Sequence, residues 1–173
     1  MKIAFCGSQG TGKTTIAYKL AYKLKRAGHD VYVLSEVARS CPLPINEETT
    51  REAQLWIMGK QMTREQSAKG KIYVSDRTLL DSFAYAIRKD PEFFEPAKQF
   101  IKNYMTTYDF IFYMEPNDNY LMNDGTRSTD KKFRDDIDNI MKSLIDELDI
   151  DVIKTRNVDD MFKQIIFELT TSE

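Results

Sequence analysis

GSQGTGKTT, residues 7–15, matches the pattern G-x-x-x-x-G-K-[ST] of a phosphate-binding loop. Its glycines carry no side chain, so the backbone can turn tightly and bring several N–H donors close to a triphosphate. Lys13 is expected to place its charge on the β and γ phosphates, and the Thr14 hydroxyl to bind a magnesium ion. The residues assigned to nucleotide binding are Gly7, Ser8, Gln9, Gly10, Thr11, Gly12, Lys13, Thr14 and Thr15.

The residues on either side of this loop favour a nucleotide site over a glycine-rich turn that binds nothing. Residues 2–6 are a short apolar stretch typical of a strand, and apolar residues recur after the loop at helical spacing until Gly28. A strand, a glycine-rich loop and a helix in this order are the context in which the motif binds a nucleoside triphosphate. The N-terminus of the helix would point its positive end at the same anion.

Apolar stretches and helical patterns alternate along the rest of the chain, which predicts an α/β fold with a parallel sheet. Residues 47–69 are expected to form a helix whose aligned residues are Leu55, Met58, Met62 and Gln66. Right-handed crossovers would place the carboxyl ends of all strands on one edge of the sheet, where ligands bind. The predicted sheet has five strands, at residues 2–6, 30–34, 71–75, 110–114 and 151–154.

Length and composition predict a single domain, residues 1–173, that is soluble and cytoplasmic. The net charge of -2 argues against a protein whose main task is binding nucleic acid. No apolar run approaches the roughly 18 residues of a membrane span, so no membrane partner is expected. Cys6 and Cys41 do not suggest a disulfide framework, and a reducing compartment is the simpler interpretation.

Asp76 and Arg77 directly follow the third predicted strand, so they should lie at the same edge as the phosphate-binding loop. A carboxylate at this place would hold the magnesium ion together with Thr14, usually through water. The alternative is that Asp76 caps the helix that follows it. Arg77 would either contact the phosphoryl acceptor or form a structural ion pair. Asp81 lies one helical turn further on, where it could orient Arg77.

Glu36 follows the second predicted strand and should face the same edge. A hydroxyl acceptor must lose a proton, and a carboxylate placed there is the natural base, whereas a phosphate acceptor needs none. Glu36 therefore favours a hydroxyl acceptor, unless it is a solvated loop residue. Arg39 would contact the substrate or pair with Glu36, and Gln54 would line the acceptor pocket.

Residues 116–134 are predicted to form a mobile lid, because this polar segment has few apolar anchors and a glycine-containing turn. Arg127 and Arg134 lie seven residues apart and could share one face of a helix. Two guanidinium groups closing over a phosphoryl group would stabilise its charge during transfer. The alternative for Arg134 is a surface pair with Asp130 or Asp138.

Four motifs together resemble one family of kinases. They are the loop at residues 7–14, Glu36-Val37-Ala38-Arg39, Asp76-Arg77-Thr78-Leu79-Leu80-Asp81 and Asp124-Gly125-Thr126-Arg127. Over nearly its whole length the chain is similar to the P-loop ATPase/kinase family that contains the ribosylnicotinamide kinase domain, related to deoxynucleoside and thymidylate kinases. The resemblance implies a three-layer fold with a five-stranded parallel sheet, a requirement for ATP and Mg²⁺, and a lid with arginines. Thr78 is a departure, because thymidylate kinases usually have an aromatic residue after their Asp-Arg pair.

The motifs and the resemblance predict a kinase that moves the γ-phosphoryl group of ATP to a small nucleoside-like or nucleotide acceptor, with a hydroxyl acceptor favoured. Lys13, Asp76, Arg127 and Arg134 would position and neutralise the phosphates, and Glu36 would take the proton.

Three alternatives stay open. The first is a nucleoside monophosphate kinase of deoxynucleotide or thymidylate type, in which Arg39 or Arg77 holds the acceptor phosphate. The second is a kinase that acts on a polynucleotide or on a modified base in DNA, so nucleic acid is a possible but less favoured partner. The third is a nucleotide-binding ATPase switch without an acceptor.

Overall fold

A computed structural model describes residues 1–68, 72–118 and 128–171 of the chain. Its strands are β1 (Lys2–Cys6), β2 (Val31–Leu34), β3 (Ile72–Ser75) and β4 (Phe110–Tyr113). Its α-helices are α1 (Lys13–Arg26), α2 (Arg51–Ser67), α3 (Leu79–Lys89), α4 (Pro91–Phe94), α5 (Lys98–Met105), α6 (Lys131–Leu148) and α7 (Val158–Thr171). None of the helices in this part of the chain is long and apolar enough to cross a membrane.

All strand pairs in the sheet are parallel, in the spatial order β2-β3-β1-β4. The register places Ala4 of the central strand β1 opposite Ser75 on one side and Ile111 on the other. The carboxyl ends of the strands therefore meet at one edge, as the pattern of alternating strands and helices predicts.

The predicted fifth strand, at residues 151–154, is wrong, because the described sheet has four strands. Residues 151–154 contribute an isolated parallel bridge between Ile153 and Phe112. Ile153 donates its N–H to the Ile111 carbonyl at 2.8 Å, and the Ile153 carbonyl accepts from the Tyr113 N–H at 3.0 Å. Polar, exposed residues flank the two apolar positions, which leaves too little apolar chain to continue the ladder.

Helices cover both faces of the sheet, so the molecule has three layers. Along β1, Ile3 and Phe5 pack into a cluster with residues of α1 and α7, including Leu20 and Ile165. Ala4 and Cys6 point to the opposite face and pack against α3, α5 and α6. Successive strand residues point to opposite faces, and here both faces are covered. The α/β three-layer fold class is therefore confirmed.

Helix α2 buries a different side from the one predicted. Leu55 is 46% exposed and Gln66 is exposed, so the predicted alignment of these residues with Met58 is wrong. The buried residues are Ala53, Gln54, Ile57, Met58, Gln61 and Glu65. The helix turns polar side chains inward because they have partners there: the Gln61 amide donates to the Arg77 carbonyl oxygen at 3.1 Å.

Gly7, directly after β1, is a glycine that the fold cannot replace without strain. Its φ is +145°, and a Cβ atom there would lie 2.4 Å from the carbonyl oxygen of Met114. We expect Gly7→Ala to lower the free energy of unfolding by about 3 kcal/mol, because strain and overlap add. Gly28 also has a positive φ of +91°, but no atom of the described residues lies within 4 Å of its added Cβ.

Gly28→Ala is therefore the matched control, with an expected loss of about 1 kcal/mol from backbone strain alone. Urea denaturation of the two variants and the wild type measures both losses. Equal losses for the two variants would contradict the close approach of Gly7 to Met114.

Candidate active site

The phosphate-binding loop lies between the end of β1 and the start of α1, at the carboxyl edge of the sheet. It borders a small cavity of about 190 Å³, which we call the phosphate pocket. The predicted Asp76 and Arg77 line the same cavity, as expected for residues at the end of β3. The lining residues are Gln9, Gly10, Thr11, Gly12, Lys13, Thr14, Asp76 and Arg77.

The Lys13 ammonium group is buried and is held by the loop itself. It donates to the carbonyl oxygens of Gly7, at 2.7 Å, and Ser8, and to the Thr11 hydroxyl at 3.0 Å. Burial, and then the positive charge of Arg77, lowers the pKa of Lys13 to about 7. Near neutral pH this lysine is therefore poised between its two protonation states before a phosphate binds.

Asp76 and Thr14 meet in the phosphate pocket. The Thr14 hydroxyl donates to Asp76 Oδ2 at 2.8 Å. Asp76 is 2% exposed, its Oδ1 has no hydrogen-bond partner among the described residues, and burial raises the pKa of this carboxyl. A buried carboxylate oxygen without a partner, beside a hydroxyl, suits a hard cation such as Mg²⁺. The residues present therefore fit the predicted metal.

Asp76 does not cap α3, so that alternative is wrong. The cap is Thr78, whose hydroxyl accepts from the Asp81 N–H while the Asp81 carboxylate accepts from the Thr78 N–H. This reciprocal pair is a capping box, which satisfies two N–H groups at the start of the helix. Asp76 is thus left with its carboxylate in the phosphate pocket.

Arg77 lies at the edge of the phosphate pocket and is held by the carboxylates of Glu36 and Asp81. Its Nη2 and Nε lie 2.6 Å and 3.0 Å from Glu36 Oε1, and its Nη1 lies 3.2 Å from Asp81 Oδ1. The same Nη1 donates to the Gly7 carbonyl oxygen at 3.3 Å. Arg77 therefore forms a structural ion pair, and it does so at a position that touches the phosphate-binding loop.

Asp81 connects that loop to Arg77. Asp81 is 1% exposed, and its Oδ1 accepts from the Gly7 N–H at 3.2 Å as well as from Arg77. Its Oδ2 accepts from the N–H and hydroxyl of Thr78, at 2.9 Å and 2.7 Å. The carboxylate therefore satisfies four donors from three different parts of the site, and its bond to Gly7 is a contact that the sequence did not reveal.

A larger cavity of about 600 Å³, which we call the second pocket, adjoins the phosphate pocket. Gln9 and Arg77 line both cavities and so form the boundary between them. The other residues that line the second pocket are Glu36, Val37, Ala38, Arg39, Ile45, Asn46, Gln54, Ile57, Gln61, Asp81, Ser82 and Tyr85. The structure thus brings together all four residues predicted to bind the substrate: Glu36, Arg39, Gln54 and Arg77.

Glu36 is not a solvated loop residue, because its side chain is 8% exposed. Besides Arg77, it accepts from Arg39 Nε at 3.1 Å. Gln54 is also buried, and its amide Nε2 donates to the Thr49 hydroxyl at 2.7 Å. The side chains at the second pocket are therefore held in place by neighbours before any ligand binds.

Gln61 and Tyr85 line the second pocket but were not singled out from the sequence. Gln61 lies seven residues after Gln54 on α2, so the two glutamines share a helix face. That spacing of two amides on one helix was the available signal. Tyr85 had no comparable signal, because an aromatic residue in an apolar helix usually belongs to the core.

The predicted lid lies partly outside the described residues, and so does Arg127. Residues 131–134 form the first turn of α6. There Arg134 is buried and binds Asp118 at 2.7 Å and Asp135 at 2.9 Å, not Asp130 or Asp138. Lys131 and Arg134 together lower the pKa of Asp118 to about 2. The role of both arginines in phosphoryl transfer stays a prediction.

Comparisons with known proteins agree with this architecture. A family model described as an AAA domain matches residues 2–160. No curated protein sequence matches the chain. The solved structures with a similar fold include a deoxyadenosine kinase from M. mycoides with the products dCMP and dCDP, at 16% identity, TM-score 0.66 and 100% coverage of both chains.

Two further structures are similar over nearly all of their length. One is a thymidylate kinase from Ehrlichia chaffeensis, with 16% identity, TM-score 0.66 and 98% coverage of each chain. The other is the YorR protein of Bacillus subtilis in complex with phosphorylated GDP, with 15% identity, TM-score 0.56 and coverage of 99% of this chain and 97% of that one. These matches confirm the predicted resemblance: the chain has the fold of P-loop nucleoside and nucleotide kinases.

The lowered pKa of Lys13 predicts how nucleotide affinity depends on pH. A bound phosphate raises the pKa of Lys13, so binding above pH 7 takes up a proton. We expect the affinity for Mg²⁺-ADP to fall as the pH rises from 7 to 9, by at most about tenfold per pH unit. Calorimetry in two buffers of different ionisation enthalpy measures the proton uptake. Adenosine, which lacks phosphates, is the control. An affinity for Mg²⁺-ADP that does not change between pH 7 and pH 9 would contradict this role of Lys13.

The contacts of Asp81 predict a structural effect. Asp81→Asn keeps the shape but replaces one oxygen by an NH₂ group that cannot accept, so either Thr78 or the pair Gly7 and Arg77 loses its acceptor. We expect the free energy of unfolding to fall by about 2–3 kcal/mol, because buried donors are left unsatisfied. Asp151→Asn, at an exposed aspartate, should change it by less than about 0.5 kcal/mol. Chemical denaturation compares them, and equal small effects would show that Asp81 holds little together.

Proposed function

We propose that this chain, which belongs to the AAA domain family, is a kinase that transfers the γ-phosphoryl group of ATP to the hydroxyl of a nucleoside-like acceptor. The observation that supports this most strongly is the boundary that the phosphate pocket and the second pocket share at Gln9 and Arg77. Phosphoryl transfer requires the donor and the acceptor oxygen to lie side by side and in line. Two adjoining pockets provide that arrangement, and hydrolysis alone would need only one.

The donor half of the site would bind Mg²⁺-ATP. The backbone of the phosphate-binding loop and the start of α1 would contact the phosphates, and Lys13 would move from the loop carbonyls to the β and γ phosphates. Thr14 and Asp76 would hold the magnesium ion, which neutralises charge on the phosphates when it is bound.

The charges around the second pocket support a neutral acceptor. Its two arginines, Arg39 and Arg77, already pair with Glu36, and Arg77 pairs with Asp81 as well. A monophosphate acceptor would have to compete with these carboxylates for the guanidinium groups. A hydroxyl group adds no charge to the pocket, so the existing pairs can persist while it binds.

Glu36 is the proposed base. Its carboxylate lines the second pocket and lies between the guanidinium groups of Arg39 and Arg77. The transition state of phosphoryl transfer is loose, and the acceptor needs little activation before the bond to phosphorus forms. A carboxylate that accepts the proton late in the transfer is therefore sufficient.

The lining of the second pocket supports an acceptor with a flat ring that carries hydrogen-bonding groups. The pocket is a partly open cleft lined mostly by apolar surface with a few polar groups, as small-molecule sites usually are. Ile57 and Tyr85 supply apolar and aromatic surface. The Thr49 hydroxyl takes one N–H of the Gln54 amide and so fixes its orientation, and the carbonyl oxygen of Gln54 can accept from the ligand.

The fold neighbours add support of a general kind. The M. mycoides enzyme was solved with dCMP and dCDP and also with dATP, so that protein accommodates nucleotides within the same architecture. We propose that Arg127 and Arg134 close over the transferring group here, which requires Arg134 to exchange Asp118 for phosphate oxygens.

The test is acceptor-stimulated ADP release from Mg²⁺-ATP, with deoxynucleosides, nucleosides, their monophosphates and a 5′-hydroxyl oligonucleotide as acceptors. We expect stimulation by a nucleoside, and a loss of kcat of about 10²- to 10⁴-fold in Glu36→Gln. Glu92→Gln, which makes the same change at an exposed glutamate, is the matched control and should retain wild-type kcat.

Three outcomes would contradict the proposal. Stimulation by monophosphates alone, unaffected by Glu36→Gln, would indicate a nucleotide kinase without a base. Stimulation by the oligonucleotide alone, weakened steeply by salt, would indicate a kinase that acts on nucleic acid. ATP hydrolysis that no acceptor stimulates would indicate an ATPase switch.

A further inference from the structure

The Gln9 side chain carries a donor that the fold leaves unsatisfied. Gln9 is 2% exposed, and its Nε2 has no hydrogen-bond partner within the described parts of the chain. Buried amide groups in folded proteins nearly always have partners, so an unsatisfied donor calls for an explanation. Gln9 also lines both the phosphate pocket and the second pocket. The unsatisfied group therefore lies at the boundary across which a phosphoryl group would move.

Neighbouring contacts fix the orientation of the Gln9 amide. The positive charge of Arg77 acts on the Tyr85 hydroxyl and favours a phenol proton that points away from Arg77. Burial raises the pKa of Tyr85 to about 12, so the phenol keeps its proton near neutral pH. It donates this proton to Gln9 Oε1 at 2.7 Å. The carbonyl oxygen of the amide is thereby occupied, and its NH₂ group is the end that stays available.

We propose that Gln9 is a further catalytic residue, whose Nε2 donates a hydrogen bond to an oxygen of the γ-phosphoryl group as it passes from ATP to the acceptor. This inference rests on the proposed kinase function. The bond between the γ phosphorus and the β–γ bridging oxygen breaks, and its electron pair stays on ADP. A bond forms from the acceptor oxygen to phosphorus, and the acceptor proton goes to Glu36. Gln9 makes and breaks no covalent bond.

The position of Gln9 favours contact with the group in transit over contact with bound ATP. Charge on the phosphoryl oxygens is stabilised most effectively by donors fixed in place where the group passes. The Tyr85 hydroxyl fixes the amide in this way, through its bond to Gln9 Oε1. The Tyr85 hydroxyl acts on the reaction through Gln9 and is therefore a positioning group, whereas the ring of Tyr85 lines the second pocket.

Steady-state kinetics of two Gln9 variants test the role. Gln9→Leu removes the donor, and Gln9→Glu keeps the oxygen that faces Tyr85 but replaces the donor by a second oxygen. Each should lower kcat by on the order of 10²-fold, with the KM of the acceptor changed by less than about threefold. Gln164→Glu, on the exposed side of α7, is the matched control and should keep the wild-type kcat.

A double-mutant cycle tests the positioning by Tyr85. Tyr85→Phe should lower kcat by about tenfold in the wild type and should have no further effect in Gln9→Leu, because both changes remove the same contact. Additive losses would show that Tyr85 acts independently of Gln9. Wild-type kcat in the Gln9 variants, or a change confined to the KM of the acceptor, would overturn the proposal.

A binding measurement keeps the test independent of the acceptor. ADP with aluminium fluoride and Mg²⁺ mimics a phosphoryl group in transit, and ADP with Mg²⁺ is the reference. Aluminium fluoride should raise the ADP affinity of the wild type, and this gain should be at least about tenfold smaller in Gln9→Leu. The affinity for ADP alone should differ by less than about twofold between the two proteins. Equal gains in both proteins, or no gain in the wild type, would overturn the proposal.

The two readouts separate the failure of this inference from the failure of the kinase proposal. If no acceptor stimulates the wild type, the proposed kinase function fails, and the affinity for ADP with aluminium fluoride alone decides whether Gln9 contacts the phosphoryl group. If the wild type is stimulated and the Gln9 variants match it, the kinase function stands and the role of Gln9 is wrong.

Discussion

Asp81 accepts hydrogen bonds from the Gly7 amide and from the Arg77 guanidinium. This one buried carboxylate therefore holds the start of the phosphate-binding loop close to Arg77, which lies between the two pockets. The rest of the site is attached through Arg77. One side of its guanidinium binds Glu36, which in turn binds Arg39. A buried carboxylate that satisfies several donors in this way fixes their relative positions, because removing any one leaves a charge or an N–H unpaired.

The phosphate pocket is electrostatically incomplete without its ligands. Burial lowers the pKa of Lys13 and raises the pKa of Asp76, so each group is shifted toward its neutral form. Opposite shifts of a cation and an anion in one cavity have desolvation as their common cause. A bound phosphate would favour the charged form of Lys13, and a bound magnesium ion that of Asp76. Such perturbed pairs are typical of functional sites, and so is the buried Oδ1 of Asp76, which has no hydrogen-bond partner among the residues that the structure describes.

Local signals in the sequence were sufficient to predict most of the sheet and the position of the phosphate-binding loop. The phosphate-binding loop, four of the strands and the placement of Glu36, Asp76 and Arg77 at one edge all follow from motif, apolar periodicity and the handedness of crossovers. The prediction of a fifth strand was wrong because the apolar stretch around Ile153 is too short to form more than one bridge with β4.

Residues whose role depends on tertiary contacts were harder to predict. On α2, the buried side carries Gln54, Gln61 and Glu65, because the pocket and the Tyr108 hydroxyl give them partners that no local pattern specifies. Asp81 could be placed beside Arg77 from helical spacing, but its bond to Gly7 joins segments 74 residues apart. Gln9 belonged to the recognised loop, yet only the three-dimensional arrangement shows its amide facing a second cavity.

The central claim is that the two pockets adjoin so that a phosphoryl group can pass between them. The most direct measurement is the affinity of bisubstrate analogues in which adenosine and a second nucleoside are joined through four or five phosphates. The account predicts that the tetraphosphate, which spans to a hydroxyl acceptor, binds at least about 10²-fold more tightly than ADP, because both ends bind at once. A preference for the pentaphosphate would point to a phosphate acceptor. An affinity no greater than that of ADP for every linker and nucleoside would contradict the claim that the two pockets form one site.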